Sequence, residues 1–145
     1  MIIGDDFGTG GDAAIAAAIG FADPGKARVL LLHVVDPAPV LYASAAEWGW
    51  VAATDALAED EKLSRENIEQ RARPLRRRGF KVECRVVTGA PASTIARVAK
   101  LWRAQLLIIA SHGRKGVSRV LLGNTAEQLL RSSRCPILTV HPSRK

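Results

Sequence analysis

The sequence predicts one doubly wound α/β domain, a five-stranded and mostly parallel sheet with helices on both faces. Three observations predict it. Apolar runs alternate with helical patterns in the order β-α-β-α-β-α-β-α-β, the order of a parallel sheet covered by helices. The clearest apolar run, VLLLHVV at 29–35, is nearly continuous, as suits a strand buried on both faces. The length of 145 residues suits a single domain with a substantial core.

The elements follow in order. Residues 1–4 are a short apolar start, followed by Asp5, Asp6 and a glycine-rich turn at 8–11. The Ala-rich stretch 12–22 reads as a helix with Asp12 as its N-cap, ended by Pro24 and Gly25. After the strand at 29–35, residues 36–53 read as a long connection of the kind that is functional or mobile. In it, Trp48 and Trp50 either anchor the loop or pack over a ligand or partner. Over 54–78, Leu57, Ile68, Ala72 and Leu75 fall on one side of a helix. Pro74 should kink or interrupt its last turns, and Gly79 should stop it. Residues 81–87 alternate, with Val82, Cys84 and Val86 on one face of a strand. Gly89 and Pro91 open a helix whose Ile95, Val98, Ala99 and Trp102 recur at helical spacing. A buried strand at 106–110 and a loop at 111–123 lead into a helix with Ala126, Leu129 and Leu130 inward. Pro136 precedes the last strand, Ile137–Val140.

Composition narrows the functional classes. Apolar residues make up 48% and charged residues 24%, ordinary for a globular chain. No apolar run approaches the roughly 18 residues of a membrane span. No basic stretch followed by an apolar leader opens the chain, so a cytoplasmic location is expected. Cys84 and Cys135 are too few for a disulfide framework and read as reduced and partly buried. Three scattered histidines form no metal-ligand pattern. The net charge of +7 favours anionic partners without naming one. The cluster Arg71, Arg73, Arg76, Arg77 and Arg78 lacks interleaved aromatics, so it reads as a solvated helix end rather than a nucleic-acid surface.

Doubly wound sheets bind ligands at the carboxyl ends of strands, where the strand order reverses. The loops after the first and fourth strands are therefore the candidate site. Residues 20–26 match a phosphate-loop spacing, but they join a helix to a strand and end in Ala27. Gly8, Gly10 and Ala13 fit a dinucleotide fingerprint, although Asp5, Asp6 and Phe7 separate the strand from its first glycine. The third motif, LIIASHGRKGVSRVLLGNT at 107–125, opens a helix whose N-terminus would favour a phosphate. Thr125 with Gln128, or Asn124 with Glu127, also fits a capping box there. His112 lies beside Gly113 with no nucleophile or orienting partner evident, and His33 reads as a satisfied interior histidine. Asp5 and Asp6 point to opposite faces and should not form a catalytic pair.

These residues resemble the universal stress protein family. Its nucleotide signature is Gly, two residues, Gly, nine residues, Gly, then Ser, Thr or Asn. The matching positions here are Ala110, Gly113, Gly123 and Asn124. The resemblance extends through IIGDDFG, LLHVVDP, GAPASTIARVA and AEQLLRSSRCPILTV, essentially the whole chain in order. It implies an adenine nucleotide alpha hydrolase-like fold and a homodimer paired through Ile137–Val140. It also implies a sensor or switch in the stress response that binds ATP, with or without Mg2+, and at most slow hydrolysis. Asp6 with Phe7 and Val34 or Val35 would then flank adenine and ribose. Gly113, Gly123, Asn124 and Thr125 would hold phosphates, with Ala110, His112, Arg114 and Gly116 completing the site. Ala110 replaces the first signature glycine, and its methyl is expected to crowd a ribose or a close backbone contact. That substitution motivates an alternative, a nucleotide-free interaction module of the same fold. A basic nucleic-acid-binding module is a third reading.

Overall fold

A computed structural model of the chain describes residues 1–47, 49–111 and 123–142, and of residues 43–50 the backbone alone. The elements are β1 (Ile2–Gly4), α1 (Thr9–Phe21), β2 (Arg28–Val35), α2 (Ala38–Glu47), α3 (Gly49–Arg77), β3 (Lys81–Thr88), α4 (Pro91–Leu101), β4 (Leu107–Ala110), α5 (Asn124–Ser132) and β5 (Ile137–Val140). All described strand pairs are parallel, in the order β3-β2-β1-β4-β5. The chain winds outward from β1 to β3 and then returns to the other side at β4. That reversal places the crevice between the ends of β1 and β4.

Strand alternation divides the core into two layers. Ile2, Leu30, Leu32, Leu107 and Ile109 pack against Ile95, Val98, Ala99 and Leu129 of α4 and α5. Ile3, Leu31 and Ile108 point the other way, onto Ala14, Ile15 and Ala18 of α1 and Ile68, Ala72 and Leu75 of α3. Small side chains let α1 lie close to the sheet. Burying each large aliphatic side chain contributes about 1.5–3 kcal/mol.

Several sequence expectations need correction. Residues 36–53 are largely helical. Asp36 Oδ1 accepts the Ala38 N–H at 3.0 Å, and Pro39 occupies the first turn, where its missing donor costs no intrahelical bond. Helix α3 accordingly begins at Gly49, which puts Trp50 in a helix; Trp48 lies outside the described residues. Helix α1 begins at Thr9 with Gly8 as N-cap, and Asp12 is in its first turn. The capping acceptor comes from upstream, since Asp6 Oδ1 receives the Gly11 N–H at 2.9 Å. Pro74 does not end α3, whose buried Ala72 and Leu75 hold the last turn to Arg77. Gly79, at φ 87°, supplies the left-handed stop.

Helix α5 forms neither expected capping box. Gly123 is its N-cap, Gln128 Nε2 donates to Asn124 Oδ1, and Glu127 pairs with Arg131.

Candidate functional site

A cavity of about 370 Å³ opens at the carboxyl ends of β1, β2 and β4, within the size range of small-molecule sites. Its apolar wall comes from Leu32, Val34, Ile95 and Ile109, and its polar rim from Asp6, His33, Asn124 and Thr125. The rim includes the first turn of α5. Those N–H groups have no intrahelical partner, and Gly123 supplies no side-chain cap. The helix dipole adds roughly half a positive charge at the same place. A larger groove of about 580 Å³ lies between α1 and α3, lined by Phe7, Asp12, Ile15, Ile19, Arg71 and Pro74.

The loop from β1 to α1 forms the acidic wall. Its two aspartates go separate ways, Asp6 outward and Asp5 inward. Asp6 stays exposed on the rim, and its Oδ1 accepts the Gly8 and Gly11 N–H groups at 3.0 and 2.9 Å. Asp5 turns inward, and its side chain is fully buried. Its Oδ1 accepts the Phe7 N–H at 2.8 Å, and its Oδ2 accepts from Arg71 Nε at 2.6 Å. Arg71 reaches from α3 to bind Asp12 at 2.7 Å and the Gly8 carbonyl at 3.3 Å. Burial opposes its charge, yet the hydrogen bond and charge of Asp5 hold its pKa above the usual value. One guanidinium therefore ties strand, loop and helix together.

Two glycines make this packing possible. A Cβ on Gly11 would overlap Asp5 Oδ1 and come within 2.6 Å of Arg71 Nη2. A Cβ on Gly10 would stand 2.6 Å from the Ala110 Cβ. The Ala110 methyl therefore faces Gly10 of α1, while Ala110 also lines the cavity. Gly8, Gly10 and Ala13 do join a strand to a helix, but Gly10 serves close packing against β4.

The other candidate residues divide. Asp6, Val34, Ala110, Gly123, Asn124 and Thr125 all line the cavity. Val35 does not: it is buried on the opposite side of β2 from Val34. Phe7 borders the α1–α3 groove, takes a left-handed φ of 59° and stacks on His33 with ring centroids 3.9 Å apart. His112, Gly113, Arg114 and Gly116 lie outside the described residues.

The fold adds residues that the sequence does not mark as site residues. His33 is half-buried, with Nδ1 2.7 Å from the Asp5 carbonyl oxygen, and it lines the cavity beside Leu32 and Ile95. A strand facing a cavity at its carboxyl end is the only sequence signal for it. Ser111, fully buried, hydrogen-bonds His141 Nδ1 where β4 and β5 end. Among the described residues no group of three or more His, Cys, Asp or Glu is placed to hold a metal. No helix among them is long and apolar enough to cross a membrane. Cys84 and Cys135 are free and half-buried, and burial pushes the Cys84 thiol up to about 11.

Comparison with known proteins gives a consistent result. The model of the universal stress protein family matches residues 1–141. Universal stress protein MJ0531 of Methanocaldococcus jannaschii is 29% identical over 139 residues, covering 94% of this chain and 79% of that protein. MJ0577 of the same organism is 32% identical over 84 residues, 58% of this chain and half of its relative's length. In structure, MJ0577 superposes with a TM-score of 0.83 at 23% identity, covering 99% and 96% of the two chains. A universal stress protein in complex with cAMP superposes at 0.62 with 24% identity, covering 98% and 95%. An Arabidopsis thaliana family protein with AMP bound superposes at 0.65 with 14% identity, covering 99% and 92%.

Proposed function

Because the chain belongs to the universal stress protein family, we propose that it binds ATP or a related adenine nucleotide in the cavity between β1 and β4. The observation that carries this reading is the pairing of opposite walls. An exposed carboxylate, Asp6, faces the ligand side from the β1–α1 loop, and the uncapped N-terminus of α5 closes the other side. The apolar wall of Leu32, Val34, Ile95 and Ile109 suits a flat base, and Asp6 suits donor groups of adenine or ribose. The amides of Asn124 and Thr125 suit a phosphate. Bound cAMP and AMP in structures of the same fold support the adenine nucleotide class.

The bound group would supply negative charge and a stack of hydrogen-bond acceptors. This chain's residues orient it and exclude water along the apolar wall. Gly113, Arg114, Gly116 and His112, immediately after β4, belong to the phosphate side of this reading. A magnesium ion would arrive on the nucleotide's own phosphates. The role proposed is a cytoplasmic stress-response sensor whose nucleotide changes its surface or assembly, without a catalytic centre. Homodimerisation through β5 fits the same reading, since β5, like β3, ends the sheet order and presents an edge for pairing.

Mass spectrometry of small molecules released from purified, denatured protein tests the proposal. Co-purified adenine nucleotide is expected. Protein that is empty as isolated and remains empty after incubation with millimolar ATP would overturn it.

A further inference from the structure

The arginine run at 71–78 is the basic cluster that stands out in the sequence, but the fold disperses it. Arg71 turns inward to Asp5, and Arg76 pairs with Glu69. A different set of cations comes together at the other end of the sheet from the nucleotide cavity. A groove of about 650 Å³ between the C-terminal ends of α4 and α5 is lined by Arg97, Lys100, Arg103 and Arg134, with Ser132 and Ser133 beside them. All four cations are exposed, and among the described residues none has an ion pair. No carboxylate lines the groove.

Cations commonly gather where helices end, because they offset the helix dipole. Magnitude decides against that as the whole account here. Two helix C-termini amount to about one negative charge, which leaves an excess of about three positive charges. Arg103 provides a second, independent observation. It occupies the position after the α4 cap with φ 52°, where glycine is the unstrained choice. A long cation held in a left-handed conformation points to use of the side chain.

The ligand's chemistry follows from the shape. The floor is Ala96, Ala99 and Ala104, which offers no large apolar anchor for a protein partner. Arg103 also lines an adjoining groove with Arg28, Phe21 and Trp102. Phe21 is 54% exposed, and the Arg28 guanidinium lies 5.4 Å from the Trp102 ring centroid. A cluster of cations beside one exposed aromatic side chain, Phe21, matches a strand whose phosphates take the charge and whose bases can stack. We propose that the α4–α5 groove binds the phosphate backbone of a single-stranded nucleic acid, without reading its sequence.

Fluorescence anisotropy with a labelled oligothymidylate of about 20 nucleotides tests this on the full chain. Four contacts predict a log–log salt slope of about −3, so affinity should fall about fiftyfold between 50 and 200 mM salt. The Arg97→Ala/Arg134→Ala variant should halve that slope. Arg73→Ala/Arg77→Ala removes the same net charge elsewhere and should leave it unchanged. Arg103→Gly should weaken binding without lowering the melting temperature, since it relieves the left-handed backbone while deleting the cation. Absence of salt-sensitive binding would overturn the proposal, as would equal losses in the groove and control variants. Binding of phosphatidylserine vesicles through these residues, with the oligonucleotide ignored, would overturn it in favour of a membrane surface.

Discussion

Replacing Arg71 with methionine should cost more stability than any other single change on the surface of α3. Methionine keeps much of the side-chain packing and removes the charge. The Asp5 carboxylate, fully buried and 2.6 Å from Arg71 Nε, would then keep only the Phe7 N–H as a partner among the described residues. Breaking a buried pair from one side costs about 3–5 kcal/mol. Arg71 is only 19% exposed, so solvent screening reduces this little. The unfolding entropy of a chain this long is about 0.3 kcal/mol/K, so the melting temperature should drop by roughly 10–16 °C. The Asp5→Asn/Arg71→Met double variant removes both charges and keeps an acceptor for Phe7. It should recover most of the loss, because neutral replacement of a buried pair is commonly tolerated. Thermal unfolding followed by circular dichroism, with a calorimetric check that the transition is two-state, reads both values. A single variant melting within about 3 °C of the parent would refute the reasoning.

Gly11→Ala should destabilise by about 1–3 kcal/mol or more, read by urea unfolding, because its methyl collides with Asp5 and Arg71. Gly10→Ala should destabilise similarly through the Ala110 methyl, and adding Ala110→Gly should restore stability. Losses that simply add in this pair would show that the two residues do not meet. Cys84 should react with iodoacetamide at pH 8 about a hundredfold more slowly folded than unfolded, since its pKa is pushed up to about 11 from 9.0. The sign for stability follows: the folded state holds this proton longer, so stability falls as pH rises from about 9 through about 11.

The alternation of apolar runs and helices was enough to give the layered architecture and the location of the crevice. Strand length, period and direction are local consequences of the pattern. The α2 helix was not legible in 36–53, because two prolines and two tryptophans signal a loop. The placement of the prolines before and within a first helical turn, capped by Asp36, reverses that signal. The Asp5–Arg71 pair spans 66 residues, and no local pattern announces so distant a partner. Ala110 illustrates a further limit. A motif shows which residue departs from it, but only the packing of α1 on β4 shows that the methyl faces Gly10. Val34 and Val35 could not be told apart by resemblance; the pleat decides between them.

Calorimetric titration of ATP into the purified chain and into Asp6→Ala tests the nucleotide site directly. Micromolar binding to the parent is expected, with a loss of at least tenfold in the variant, about 1.4 kcal/mol or more. The melting temperature of the variant with Asp6 removed is followed alongside, so that a folding defect is recognised. No heat from the parent at millimolar ATP, or equal affinity in parent and variant, would contradict the assignment of the β1–β4 cavity as the nucleotide site.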